Sequence, residues 1–110
     1  MNWKRFKQIP LLLIVVCLSS LSSADIAWID VRSPIEQMID RIDGDVRISG
    51  IDIVKEVSEI FPDKNTKIHL YCRSGGRSGS AMSALKQAGY KNVSNLGSIN
   101  NARKVRGLIK

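Results

Sequence analysis

Residues 67–90 read KIHLYCRSGGRSGSAMSALKQAGY, and this stretch decides the fold. Lys67 to Tyr71 is a short apolar run of strand type, and Cys72 stands at its end. After the glycine pair, Ser78 to Ala88 places Ala81, Met82, Leu85 and Ala88 on one face at helical spacing, with Gly89 where a C-terminal cap belongs. The unit is therefore strand, tight loop, helix. Cys72 lies at the strand's carboxyl end, where open parallel sheets bind ligands.

The same alternation extends in both directions. Ile26 to Val31 is a buried-strand run, closed by Arg32-Ser33-Pro34. Ser33 suits an N-cap, Pro34 a first helical residue and Glu36 the third position of a capping box, so a short helix to about Ile39 is expected. Val46 and Ile48 suggest a brief strand. Ile51 to Phe61 carries Ile53, Val54, Val57, Ile60 and Phe61 at helical spacing before Pro62 stops it. Asn92 to Leu96 reads as a last short strand, and Gly97 opens a basic tail whose lysines and arginines, over 103–110, read as solvated. The fold class expected is α/β, a single domain with a mostly parallel sheet and helices on both faces.

The first residues read as an address rather than as part of this fold. Met1 to Gln8 carry Lys4, Arg5 and Lys7 without an acid, Ile9 to Leu18 are apolar apart from Pro10, and Ser22-Ser23-Ala24 offers a small-residue cleavage site. That order of regions is a secretory signal peptide, 1–24, leaving a single domain over 25–110 in the periplasm. The apolar run is about half of the ~20 residues of a spanning helix, so no stable membrane insertion is expected once the leader is removed. Bulky Val16 before Cys17 argues against lipoprotein processing.

Charge divides the remaining chain unevenly. Residues 25–63 hold ten acids and four bases, whereas residues 64–110 hold ten bases and no acid. Nucleic acid as a partner is disfavoured by the scarcity of aromatics and by export, so the basic half is better read as an attractor of small anions. Cleavage would remove Cys17 and leave Cys72 as the lone cysteine, either buried or kept for chemistry. One Cys with His69 is too little for a metal site, and no cofactor is expected. His69 and Cys72 should face opposite sides of their strand, which makes His69 a structural residue.

A free thiol near pKa 8.5 supplies little thiolate at neutral pH. Three features of this loop would lower that value: the N-terminus of the helix from Ser78, a nest of backbone N–H groups around Gly75 and Gly76, and the guanidinium groups of Arg73 and Arg77. The competing reading is a structural cysteine beside an ordinary turn. Spacing separates the anion chemistries. Phosphatase-type loops place five residues between Cys and Arg, whereas four separate Cys72 from Arg77, making a smaller cup suited to one sulfur atom on the thiolate.

That loop resembles the active-site loop of the rhodanese family, the thiosulfate sulfurtransferases, which runs Cys, four residues, Arg. WIDVRSPIEQ, residues 28–37, is similar to the family's Asp-Val-Arg-x-x-x-Glu signature through Asp30, Val31, Arg32 and Glu36. GYKNVSNLGS, residues 89–98, is similar to the segment leading through the last strand to a glycine pair, with Ser98 in place of the second glycine. The likeness is to small single-domain periplasmic rhodaneses of the phage-shock type. Gly44 and Ile48 match a further family segment whose usual His and Ala are absent here, and the first helix is expected to be abbreviated.

The resemblance implies a persulfide on Cys72, formed from thiosulfate and discharged to cyanide or a thiol acceptor. Arg73, Ser74, Gly75, Gly76 and Arg77 would bind the substrate, and Asp30, Arg32 and Ser78 would support the site structurally. A monomer is expected. A persulfide carrier serving a protein partner is the alternative from another class, and a Cys-loop phosphatase or arsenate reductase ranks third.

Overall fold

The computed structural model describes residues 25–109. The leader read over residues 1–24, Cys17 included, lies outside them. Four strands, β1 (Ile26–Asp30), β2 (Val46–Arg47), β3 (Lys67–Cys72) and β4 (Asn92–Ser98), form one sheet in the order β2-β1-β3-β4, with every neighbouring pair parallel. The helices are α1 (Pro34–Ile39), α2 (Ile53–Ile60, entered through a 3-10 turn at Gly50–Asp52), α3 (Gly76–Gln87) and α4 (Ile99–Val105). Among the described residues no helix is long and apolar enough to cross a membrane.

Alternation along the strands sorts the side chains into two cores. Ala27 and Ile29 of β1 and Ile68, Leu70 and Cys72 of β3 pack with Ile53 and Val57 of α2 and Ala81 and Leu85 of α3. Tyr71 faces the other way and packs with Ile42 and with Ile99 and Ala102 of α4. The α/β architecture with both faces covered is the one expected from the sequence. His69 shares Tyr71's side, edge-on to Trp28 at 4.8 Å between ring centres, away from Cys72.

Three element boundaries differ from expectation. α3 begins at Gly76 instead of Ser78, because Gly75, at φ 107°, turns the chain into the helix without a side-chain cap. β4 runs on to Ser98. The presumed tail is mostly α4, since the Ser98 hydroxyl accepts the Asn101 N–H and Ile99 and Ala102, three apart, bury one face. Its arginines are not solvated tail charges. Arg103 pairs with Asp40, while Arg106 pairs with Asp45 at 2.7 Å and lies 4.0 Å above the Trp28 ring. Asp45 also accepts the Tyr71 hydroxyl at 2.6 Å, and burial, then that bond, push the phenol's pKa up.

α1 is held by its ends more than by its face. Ser33 accepts the Glu36 N–H and Glu36 accepts the Ser33 N–H, completing the capping box, yet none of the helix's residues is buried. The helix expected from Ile51 begins at Ile53, and Ile51, in the 3-10 turn ahead of it, is 93% exposed.

Candidate active site

Cys72 ends β3 beside a register shift between Leu70 and Cys72, and is paired in the sheet with Ser98. The residue is only 1% exposed. Its Sγ accepts the Gly75 N–H at 2.9 Å and faces the Ser78 hydroxyl at 3.3 Å. The loop supplies these donors because Gly75 adopts a left-handed conformation that side chains avoid, and an added Cβ would also lie 3.3 Å from the Gly97 Cα. Gly76 has no such requirement. It is the first residue of α3 and a Cβ there meets open space.

Burial pushes the thiol up, and donation from the Ser78 hydroxyl and the N–H groups of Ser78, Gly75 and Ser74 outweighs it. The pKa falls from 9.0 to about 7. Among these groups the Ser78 hydroxyl is the largest lowering influence. Ser78 is fully buried, and its single proton has a second acceptor, Asn95 Oδ1, at 2.6 Å. Asn95 is held in turn by Gly97 N–H donating to Oδ1 at 2.9 Å and by its own Nδ2 donating to the Gly75 carbonyl at 3.1 Å. The hydroxyl is thus poised between amide and sulfur, and ionisation of Cys72 favours donation to sulfur.

Ser78→Ala is expected to raise the Cys72 pKa by about one unit or more, since a hydrogen bond to a charged group is worth ~1.5–3 kcal/mol. Thiolate ultraviolet absorbance against pH measures it. An unchanged titration would show that the hydroxyl serves only Asn95.

The two loop arginines part company. Arg77 grips Glu36 with both ends of its fork, at 2.7 and 3.0 Å, across 41 positions of sequence. Beside Arg77 and the Ser33 N–H, the Glu36 carboxyl titrates well below the usual carboxylate range. Arg73 is exposed and lines a cleft of about 510 Å³ together with Arg32, Glu36, Ser98 and Ile99. Ser98, the register partner of Cys72 in the sheet, stands in the wall of this cleft. A second cleft of about 530 Å³, lined by Val31, Pro34, Arg47, Ile51 and Ala81, lies on the other side, with Arg77 in its wall.

Asp30 and Arg32 form the brace under the loops. Asp30 is wholly buried and Arg32 is 5% exposed. Arg32 donates its backbone N–H and Nε to Oδ1 at 2.9 and 3.0 Å and a terminal nitrogen to Oδ2 at 2.9 Å, and reaches on to the Asp40 carbonyl at the end of α1. The hydrogen bond to the Asp30 carboxylate, more than any other influence, raises the guanidinium's pKa. Two contacts of the site were not visible in the sequence as such. Glu36 read as a helix cap and as part of the 28–37 signature, with no sign that it holds Arg77, and Asn95 carried no signal beyond its place in the 89–98 segment.

Residues 16–104 match the rhodanese-like domain. The chain belongs to the rhodanese-like family. Over 72 residues it is 33% identical to the thiosulfate sulfurtransferase PspE of Escherichia coli, a match spanning 66% of this chain and 69% of that one. The structure superposes with TM-score 0.67 on a rhodanese with anions from E. coli, at 31% identity and covering 70% of this chain and 91% of that one. The rhodanese-like domain of a protein from Anabaena sp. also gives TM-score 0.67, at 28% identity, covering 84% and 91%. The relationship supports sulfurtransferase chemistry in general terms.

Proposed function

We propose that this rhodanese moves sulfane sulfur from thiosulfate to cyanide or a thiol acceptor through a persulfide on Cys72. The observation that carries the reading is a thiol with a pKa of about 7 whose Sγ accepts a loop N–H at 2.9 Å. The thiolate attacks the outer sulfur of thiosulfate. A new sulfur–sulfur bond forms at Sγ, the old one breaks, and its electron pair leaves with sulfite. The second acceptor then takes the terminal sulfur and returns Cys72 as thiolate. Backbone donors that hold the thiolate suit the anionic persulfide equally well.

Substrate entry through the Arg73 cleft fits the charge of the sulfonate end, which Arg73, in no ion pair among the described residues, would meet. The loop N–H groups of Ser74, Gly75 and Gly76 would face the transferred sulfur. Arg77 contributes positive charge from its place against Glu36, and no general base is needed, because the nucleophile ionises near neutral pH and sulfite is a good leaving group. The leader read over residues 1–24 would deliver the domain, as a monomer, to the periplasm.

Mass spectrometry of the mature protein after thiosulfate treatment tests the proposal. A gain of one sulfur atom on the Cys72 peptide, lost on adding cyanide with formation of thiocyanate, is expected. A protein that gains no sulfur and forms no thiocyanate is not a thiosulfate sulfurtransferase.

A further inference from the structure

α1 breaks the rule that a helix in a small domain buries a stripe. Three of its six residues are large and apolar, and all three face solvent: Ile35 at 67%, Met38 at 78% and Ile39 at 80% exposure. Ile51, at 93%, adds a fourth across the 530 Å³ cleft. Scattered exposed apolar residues are ordinary, but a cluster beside a reactive centre marks an interaction surface. This one is also rigidly connected to the reactive loop, since Glu36, midway along α1, holds Arg77 through two hydrogen bonds.

The charges around the cluster narrow the occupant. Glu36, Asp40 and Asp43 are neutralised by Arg77, Arg103 and Arg41. Arg47 and Arg73, in the walls of the two clefts on either side of α1, pair with no carboxylate among the described residues, and Asp52 beyond Ile51 is the nearby acid without a partner. A second copy of the chain would bring like arginines face to face. A lipid surface would satisfy the apolar residues but offers no thiol.

We propose that α1 and the clefts beside it are the docking surface for a protein acceptor, which presents its cysteine on an apolar segment flanked by acidic residues. This rests on the sulfurtransferase reading and names the acceptor class. The acceptor's thiolate attacks the terminal sulfur of the Cys72 persulfide. A sulfur–sulfur bond forms as the bond to Sγ breaks, and Cys72 departs as thiolate. The transferred sulfur keeps any proton it carried, and no oxidant or reductant is consumed.

Three cysteine peptides test the proposal: one with leucine and glutamate flanking the cysteine, one with lysine replacing glutamate, and one with serine replacing leucine. The first is expected to discharge the Cys72 persulfide roughly tenfold faster than either control, the equivalent of ~1.4 kcal/mol of docking energy. It should also shift the amide resonances of residues 35–39 and 51 in the unmodified protein. In an Ile35→Glu/Met38→Glu variant that advantage and those shifts should vanish, with cyanide-dependent turnover unchanged. Equal rates for the three peptides, or shifts elsewhere, would overturn the proposal. So would binding to anionic vesicles, or a concentration-dependent dimer, abolished by the same variant. If no persulfide forms, the sulfurtransferase reading fails by itself, and the amide shifts still decide whether the surface binds the peptide.

Discussion

Asp30→Ala is expected to cost the domain about 3–5 kcal/mol of stability, the scale for removing one partner of a buried ion pair. Arg32 is 5% exposed and directs its backbone N–H, Nε and a terminal nitrogen at the Asp30 carboxylate. Without that carboxylate a permanent cation remains in the interior, with the Asp40 carbonyl as its other acceptor among the hydrogen bonds described. A domain of this size has ~5–15 kcal/mol in all, so the loss is a large share. At about 4–8 °C per kcal/mol, thermal unfolding should shift down by at least ~12 °C.

Replacing both partners with apolar residues of similar volume should be far milder, since the charge and its counter-charge leave together. A shift of only a few degrees for Asp30→Ala would show that water reaches the guanidinium. The consequence reaches the site as well as the fold, because the pair joins the end of β1 to the end of α1, and α1 holds Arg77 through Glu36.

What the sequence disclosed, and what it hid, follow from the range of the interactions involved. β1, β3 and the helix after the loop were legible because strand runs and helical spacing are local patterns, and the Ser33/Glu36 capping box because it spans three residues. The start of α3 was misplaced because sequence rules look for Ser, Thr, Asp or Asn at an N-cap, and here a left-handed Gly75 does that work. α4 was hidden by its own composition. Arg103 and Lys104 within it and Arg106 just beyond resemble a solvated tail, and only the partners Asp40, Asp45 and Trp28, all more than 60 positions away, show otherwise.

The same limit applied at the site. Cys72, Ser78 and the loop glycines sit within seven residues and could be read together. Glu36 reaches Arg77 across 41 positions and Asn95 reaches Ser78 across 17, contacts that no spacing rule records.

Cys72→Ser is expected to reduce thiosulfate turnover to the uncatalysed background while leaving the domain folded. Serine fits the space and can accept the Gly75 N–H, but its hydroxyl does not ionise in the working range, and the thiolate is the species that attacks. The pH profile of the wild type follows from the same ionisation. With a folded pKa of about 7, kcat/KM for thiosulfate should fall about tenfold per pH unit below it and level off above it.

The ionisation also leaves a mark on stability, and its sign is fixed by the lowered pKa. The folded protein gives up the thiol proton at about 7 and the unfolded chain near 9.0, so the stabilisation is complete above pH 9.0 and is lost as pH falls through about 7. Wild type should therefore gain on Cys72→Ser steadily between those two values, as urea unfolding at each pH would measure. A flat kcat/KM across the same window, or turnover surviving in Cys72→Ser, would mean that another group carries the sulfur. A stability difference that never changes with pH would mean that the loop donors hold the thiol and the thiolate equally well.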